Sequence, residues 1–274
     1  MITSTTADTL KIREWKVKKP KAQVFLIHGY AEHTGRYGHL ADRLNDEGYH
    51  VIGYDQVGHG ISDGERAYIP RFDYYVWDLE QIINEYRKEE IPTVLFGHSM
   101  GGLVVLSHCI VYRKDFAGVI TSGTALQEGK DASGILKFFA PLFGEVFPKM
   151  KTTKIGTQDI SRDEEIVEQY ENDPLVYHDG MKARLGIEML RRMKKTSKVA
   201  DLFSQPALFM HGGADRLTNP DGTIHFHDNC SSTDKDLKIW EGCYHELINE
   251  PEKEEIMDYM MKWIRRRVKS FAID

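Results

Sequence analysis

An α/β fold, with a mostly parallel central sheet flanked by helices and a helical insertion, follows from three features of the sequence. Short apolar runs alternate with helical patterns through the first half, as βαβ units do. From about 125 to 203 no convincing strand appears. After that gap the alternation resumes. The economical division is a core formed by residues 1–124 and 204–274, with a helical cap or lid inserted at 125–203.

Taken in order, "AQVFLIHG" (22–29) reads as a buried strand, and "GRYGHLADRLNDEG" (35–48) as a helix ended by Gly48. "YHVIGYD" (49–55) is a second strand. "YYVWDLEQIINEYRKE" (74–89) carries Val76, Leu79, Ile82, Ile83 and Tyr86 on one helical face. "TVLFGHS" is a strand running into a helix, and "FAGVITSG" (116–123) is a further strand. Beyond the insertion, "PALFMHGG" (206–213) and "DLKIWEG" (236–242) read as strands, and 220–230 as a helix. "PEKEEIMDYMMKWIRRRV" (251–268) reads as a long helix with Pro251 at its favoured first position.

The composition excludes several functions. With 41% hydrophobic and 28% charged residues and a net charge of −6, the 274-residue chain has a large core but no broad basic surface for nucleic acid. The dense basic stretch "RRRVK" (265–269) reads as a solvated helix end. Cys109, Cys230 and Cys243 are too few and too scattered for a disulfide framework or a zinc site. "MITSTTADTL" lacks the features of a signal peptide, no lipidation pattern is present, and no apolar run is long enough to span a bilayer. A reduced, cytoplasmic protein is expected.

Two stretches satisfy G-x-S-x-G. Ser99, in "VLFGHSMGGLVVL", follows a strand-like run and precedes a stretch able to form a buried helix. That context is a nucleophile elbow, in which Gly97 and Gly101 let strand and helix approach. Ser62, in "GISDG", has no helix behind it and reads as a loop residue.

A serine hydroxyl needs a base to take its proton and an acid to orient that base. Behind a strand–Ser–helix elbow, acid and base follow the serine in the chain. His108 lies in the helix that Ser99 opens, His178 in the insertion, His225 and His227 in a predicted helix, and His211 at a strand end. His245, in "WEGCYHE", sits on a loop after the last strand, where open α/β sheets build their sites, and is the expected base. Asp215, in "MHGGADRL", follows the preceding strand and is the expected acid. The Met100 amide and the Tyr30 amide are the expected oxyanion donors, with Gly29 permitting the turn and His28 bracing the loop.

Together, "HGYAEHTGRY" (28–37), "DQVGHGISDGER" (55–66), "FGHSMGG" (96–102), "YENDPLVYHDGM" (170–181), "GADRL" (213–217) and "LKIWEGCYHELINE" (237–250) resemble the monoacylglycerol lipase family of serine α/β-hydrolases over nearly the whole chain. The resemblance implies hydrolysis of monoacylglycerol to glycerol and fatty acid through an acyl-enzyme, without metal or organic cofactor. It places the triad on Ser99, Asp215 and His245, the oxyanion donors on Tyr30 and Met100, and the alcohol pocket on Glu32, Arg36 and Tyr170. An ion pair steadying the oxyanion loop is the alternative for Glu32 and Arg36. Three positions depart from mammalian members. Tyr30 stands where they have alanine, Thr218 where they have a thiol, and Ile248 where a second histidine lines their glycerol pocket. Cys243 is expected close to His245.

In the insertion, "GILKFFAPLFGEVFPKM" (134–150) offers Phe138, Phe139, Leu142 and Phe143 for an acyl tunnel and a lid resting transiently on a membrane or lipid-droplet surface. A cap packing its own small core is the other reading. A lysophospholipase, a short-chain carboxylesterase and a non-catalytic lipid-binding relative remain the alternatives. Epoxide hydrolase or dehalogenase chemistry is disfavoured, because those enzymes need an aspartate where Ser99 stands.

Overall fold

A computed structural model describes residues 2–129, 145–152 and 154–271. Among these, one eight-stranded sheet runs in the order β1-β2-β4-β3-β5-β6-β7-β8. The strands are β1 (Ile2–Thr3), β2 (Thr9–Trp15), β3 (Ala22–Ile27), β4 (Tyr49–Asp55), β5 (Thr93–His98), β6 (Gly118–Ser122), β7 (Ala207–Gly212) and β8 (Lys235–Trp240). Pairings from β4 through β8 are parallel, and β1 and β2 add an antiparallel edge. Sequence reading missed that edge. The charged residues of "TLKIREW" mask its alternation, and its strand state depends on pairing with β4.

Helices α1 (Gly38–Asp46), α2 (Asp73–Tyr86), α3 (Met100–Tyr112), α4 (Glu164–Asn172), α5 (Ala183–Lys198), α6 (Pro220–Asn229) and α7 (Lys253–Phe271) complete the described elements used below. The anticipated α2 face is correct: Val76, Leu79, Ile82 and Ile83 are buried. Two helix starts differ from expectation. A short 3-10 turn (Thr34–Tyr37) precedes α1, and Pro251 falls in the turn before α7. At α6 Pro220 does occupy the first turn, behind Asn219, whose side chain caps the Asp221 amide.

Apolar clusters cover both sheet faces. One gathers Phe25, Ile27 and Leu95 with α2 and α3. The other gathers Val24, Leu26 and Phe96 with α1 and α7. Leu185, Met189 and Met193 of α5 join the first cluster, so the insertion is anchored on α3. The basic stretch of α7 is engaged locally: Arg265 pairs with Glu47, and Arg267 with Asp234.

Candidate active site

The chain turns from β5 into α3 at Ser99, whose φ of 51° and ψ of −117° lie outside the region an ordinary residue prefers. The turn is tight. A Cβ on Gly101 would lie 2.2 Å from the Ile27 carbonyl oxygen, and one on Gly97 would lie 2.6 Å from that of Gly101. Glycine at both positions is what lets the elbow close. Ser62 has a different task. Its hydroxyl donates to the Asp55 carbonyl and accepts from the Lys11 amide, tying the edge strand β2 to the loop after β4.

Asp215 and His245 meet although 30 residues separate them, with Nδ1 of His245 2.7 Å from Oδ2 of Asp215. The Leu217 and Thr218 amides donate to Oδ1 of Asp215, and the Thr218 hydroxyl lies 2.9 Å from Oδ2. Burial opposes ionisation of Asp215, yet His245 and His211 beside it hold its carboxyl well below the usual carboxylate range. Burial would lower the His245 pKa, but Asp215 outweighs burial and raises it above 6.5. The His98 ring lies 4.7 Å from that of His245, tilted by 59°; burial first, then His245, pushes it down to about 4, so it stays neutral.

The loop after β3 carries Tyr30, one of the two expected oxyanion donors. His28 accepts from the Gln56 amide through Nε2 and donates from Nδ1 to the Gly29 carbonyl, bracing the loop as expected. The Gly29 amide is occupied by Oε1 of Glu32 at 2.6 Å, which leaves the Tyr30 amide as the next donor on the cavity wall. Met100 is the first residue of α3, so no carbonyl of that helix accepts from its amide. The Tyr30 ring packs edge-on against His59, 5.9 Å away.

Ser99, His245, Tyr30, Glu32 and Tyr170 line a single cavity of about 520 Å³. The Ser99 hydroxyl makes no hydrogen bond to another described residue; in unliganded hydrolases that contact often tightens only with substrate. One end of the cavity is polar. There Arg36 donates to Glu32 at 3.0 Å and, through both terminal nitrogens, to Glu246 at 2.5 and 2.7 Å, while its guanidinium lies over Tyr170. Burial alone would raise the Glu246 pKa, but Arg36 holds that carboxyl ionised, well below the usual glutamate value. The rest of the lining is mostly apolar, with Ile155, Met181, Ile187, Met189, Leu190 and Met193, and it is interrupted by Glu128, Lys154, Asp159 and Arg216.

Several expectations change here. Arg36 stands behind the wall as the bridge between two carboxylates, the ion-pair alternative. Ile248 does not line the cavity: its side chain is buried in the apolar cluster under α1 and α7, and its carbonyl accepts from His39. The Cys243 thiol faces Arg162 and Glu252, and burial pushes it up to about 11. Phe138, Phe139, Leu142 and Phe143 lie outside the described residues. Sequence reading missed Glu246, His211 as a partner of Asp215, and the α5 wall. The spacing of Gly186, Leu190 and Met193 in "GIEMLRRM" carried a signal for the wall.

A family model described as serine aminopeptidase, S33 (Hydrolase_4) matches residues 18–252. An uncharacterised abhydrolase domain-containing protein of Dictyostelium discoideum is 36% identical over 270 residues, covering 96% of this chain but only 28% of that protein's length. Monoglyceride lipase of Rattus norvegicus is 34% identical over 262 residues, covering 93% of this chain and 86% of the relative. The crystal structure of Paleococcus ferrophilus monoacylglycerol lipase superposes with a TM-score of 0.88 at 28% identity, covering 94% of this chain and 99% of that one.

Proposed function

The chain belongs to the Hydrolase_4 family of serine hydrolases, with an α/β-hydrolase fold, and from that premise we propose that it is a monoacylglycerol lipase. The observation that carries this reading is the mixed lining of the cavity: Ser99 and His245 share one space with the Glu32 and Glu246 carboxylates and with a predominantly apolar set of side chains that includes those of α5. Such a space accommodates a small polyol beside the scissile ester and a fatty chain beyond it.

In this mechanism His245 takes the Ser99 proton as Oγ attacks the acyl carbonyl, and the Tyr30 and Met100 amides receive the negative charge on the carbonyl oxygen. Asp215 stabilises the imidazolium. His245 returns the proton to the departing glycerol oxygen, leaving an acyl-serine. Water, deprotonated by His245, then attacks that ester, and His245 passes the proton to Ser99 Oγ as the acyl–oxygen bond breaks and the fatty acid leaves. Glu32, Glu246 and Tyr170 stand where the glycerol hydroxyls leave, and the α5 side chains stand where the acyl chain lies.

In this reading residues 145–152 and 154–203 of the insertion cap the site, contributing Ile155, Tyr170 and the α5 side chains to its wall. Among the described residues no helix is long and apolar enough to cross a membrane. Val146, Phe147 and Met150 are exposed, and Met150 also lines the cavity. They support a transient contact between the cap and a membrane or lipid-droplet surface, through which substrate enters. Initial rates of wild type and Ser99→Ala on monooleoylglycerol, lysophosphatidylcholine and p-nitrophenyl butyrate test the assignment. Monooleoylglycerol is expected to dominate, with turnover lost in Ser99→Ala; preference for lysophosphatidylcholine or for the short ester overturns it.

A further inference from the structure

His211 is fully buried at the end of β7, and its two ring nitrogens have different partners. Nδ1 lies 2.7 Å from the Thr223 hydroxyl of α6. Nε2 lies 3.1 Å from Oδ2 of Asp215, the same oxygen that faces His245, and 3.2 Å from the Thr218 hydroxyl. A carboxylate oxygen only accepts, so the nitrogen facing it must carry a proton. If Nε2 donates, Nδ1 accepts from the Thr223 hydroxyl. The Thr218 hydroxyl, which has a single proton, lies 2.9 Å from Oδ2 of Asp215 and 3.1 Å from the Gly123 carbonyl, so it donates to one of these acceptors and not to Nε2.

We propose that His211 is a positioning residue for the hydrolytic reaction: it donates Nε2–H to Asp215 and thereby fixes the carboxylate oxygen that orients His245. It touches neither substrate nor Ser99 and acts only through Asp215. Its second effect is electrostatic. A donor on Oδ2 draws off part of the negative charge that His245 would otherwise feel, which moderates the basicity of the catalytic imidazole. The other titratable groups facing His245 are His98, Glu246 and Glu32, and none of them is altered by changing His211.

This inference rests on the serine hydrolase reading, so the test begins with titration of active sites by a fluorophosphonate. Failure of the wild type to label would remove that reading itself. Wild type, His211→Leu and His211→Gln are then compared on p-nitrophenyl butyrate across pH, per titrated site. His211→Leu is expected to lose about tenfold in kcat and to move the acid limb of kcat/KM to higher pH. His211→Gln, which keeps a side-chain donor, is expected to recover most of both. An unmoved acid limb with unchanged kcat in His211→Leu overturns the proposal, as does a glutamine variant no better than the leucine one. Thr223→Val provides a second arm should His211→Leu fail to fold. It removes the donor to Nδ1, and a smaller shift of the acid limb in the same direction is expected; no shift overturns the proposal.

Discussion

His245 and Asp215 share a hydrogen bond of 2.7 Å in a setting where the Asp215 side chain is withdrawn from solvent altogether. In the proposed mechanism the pair sets the pH range of the reaction. Only neutral His245 can accept the Ser99 proton. Asp215 favours the charged ring and overcomes the opposing effect of burial, so the His245 pKa lies above 6.5. Activity is therefore lost as pH falls through that raised value. A kcat/KM profile should show an acid limb with its midpoint above 6.5; a midpoint below 6.5 contradicts the assignment of base and acid.

Replacing Asp215 by Asn keeps the shape but removes the charge and disturbs the hydrogen bond that selects the His245 tautomer. A fall in kcat of roughly 10³–10⁴ is expected. Thermal unfolding measured in parallel separates this from loss of fold, since the unfolded fraction cannot account for so large a drop in a protein that still melts cooperatively.

Gly101→Ala puts a methyl group where two carbonyl oxygens already stand, 2.2 Å from that of Ile27 and 2.5 Å from that of His28. Neither belongs to a flexible side chain, so β3 and α3 must separate. Urea unfolding should show a loss of about 2 kcal/mol or more. Full stability in the variant would mean that the elbow is looser than described.

Glu246→Gln removes one of the two carboxylates that share Arg36 at the polar end of the cavity. The expected signature is selective: about a tenfold loss in kcat/KM for monooleoylglycerol and less than a twofold change for p-nitrophenyl butyrate, whose leaving group offers no glycerol hydroxyls. Equal losses on both substrates would assign Glu246 to the fold alone.

Leu190 and Met193 lie one turn apart on the cavity side of α5. Leu190→Trp should shorten the space left for the acyl chain. A series of monoacylglycerols from C8 to C18 is expected to show rates falling by about tenfold or more at the long end while the short end is spared. A uniform change along the series would place the acyl chain elsewhere.

What could be read from the sequence were the features written in neighbouring residues. Strand–Ser–helix with flanking glycines fixes the elbow locally, because the constraint there is steric and involves Gly97, Ser99 and Gly101 themselves. Apolar periodicity located the core strands and the buried face of α2. The loops after β7 and β8 pointed to Asp215 and His245, since parallel sheets gather such loops at one edge. The choice between Ser99 and Ser62 was also local, resting on the helix behind one and not the other.

The proposed alcohol end depended instead on distance in space. Arg36 and Glu246 are 210 positions apart, and only folding makes Arg36 a bridge between Glu246 and Glu32. Likewise Ile248 counts as a pocket residue by its spacing from His245, yet the 3-10 turn at Leu247–Asn249 directs its side chain into the core. His211 looked like an ordinary strand end until β7 and α6 set its nitrogens against Asp215 and Thr223. Chemical identity and local geometry are carried by the chain itself. Which groups share a proton, a charge or a cavity is decided by the packing of segments remote in sequence, where position along the chain carries no information about distance.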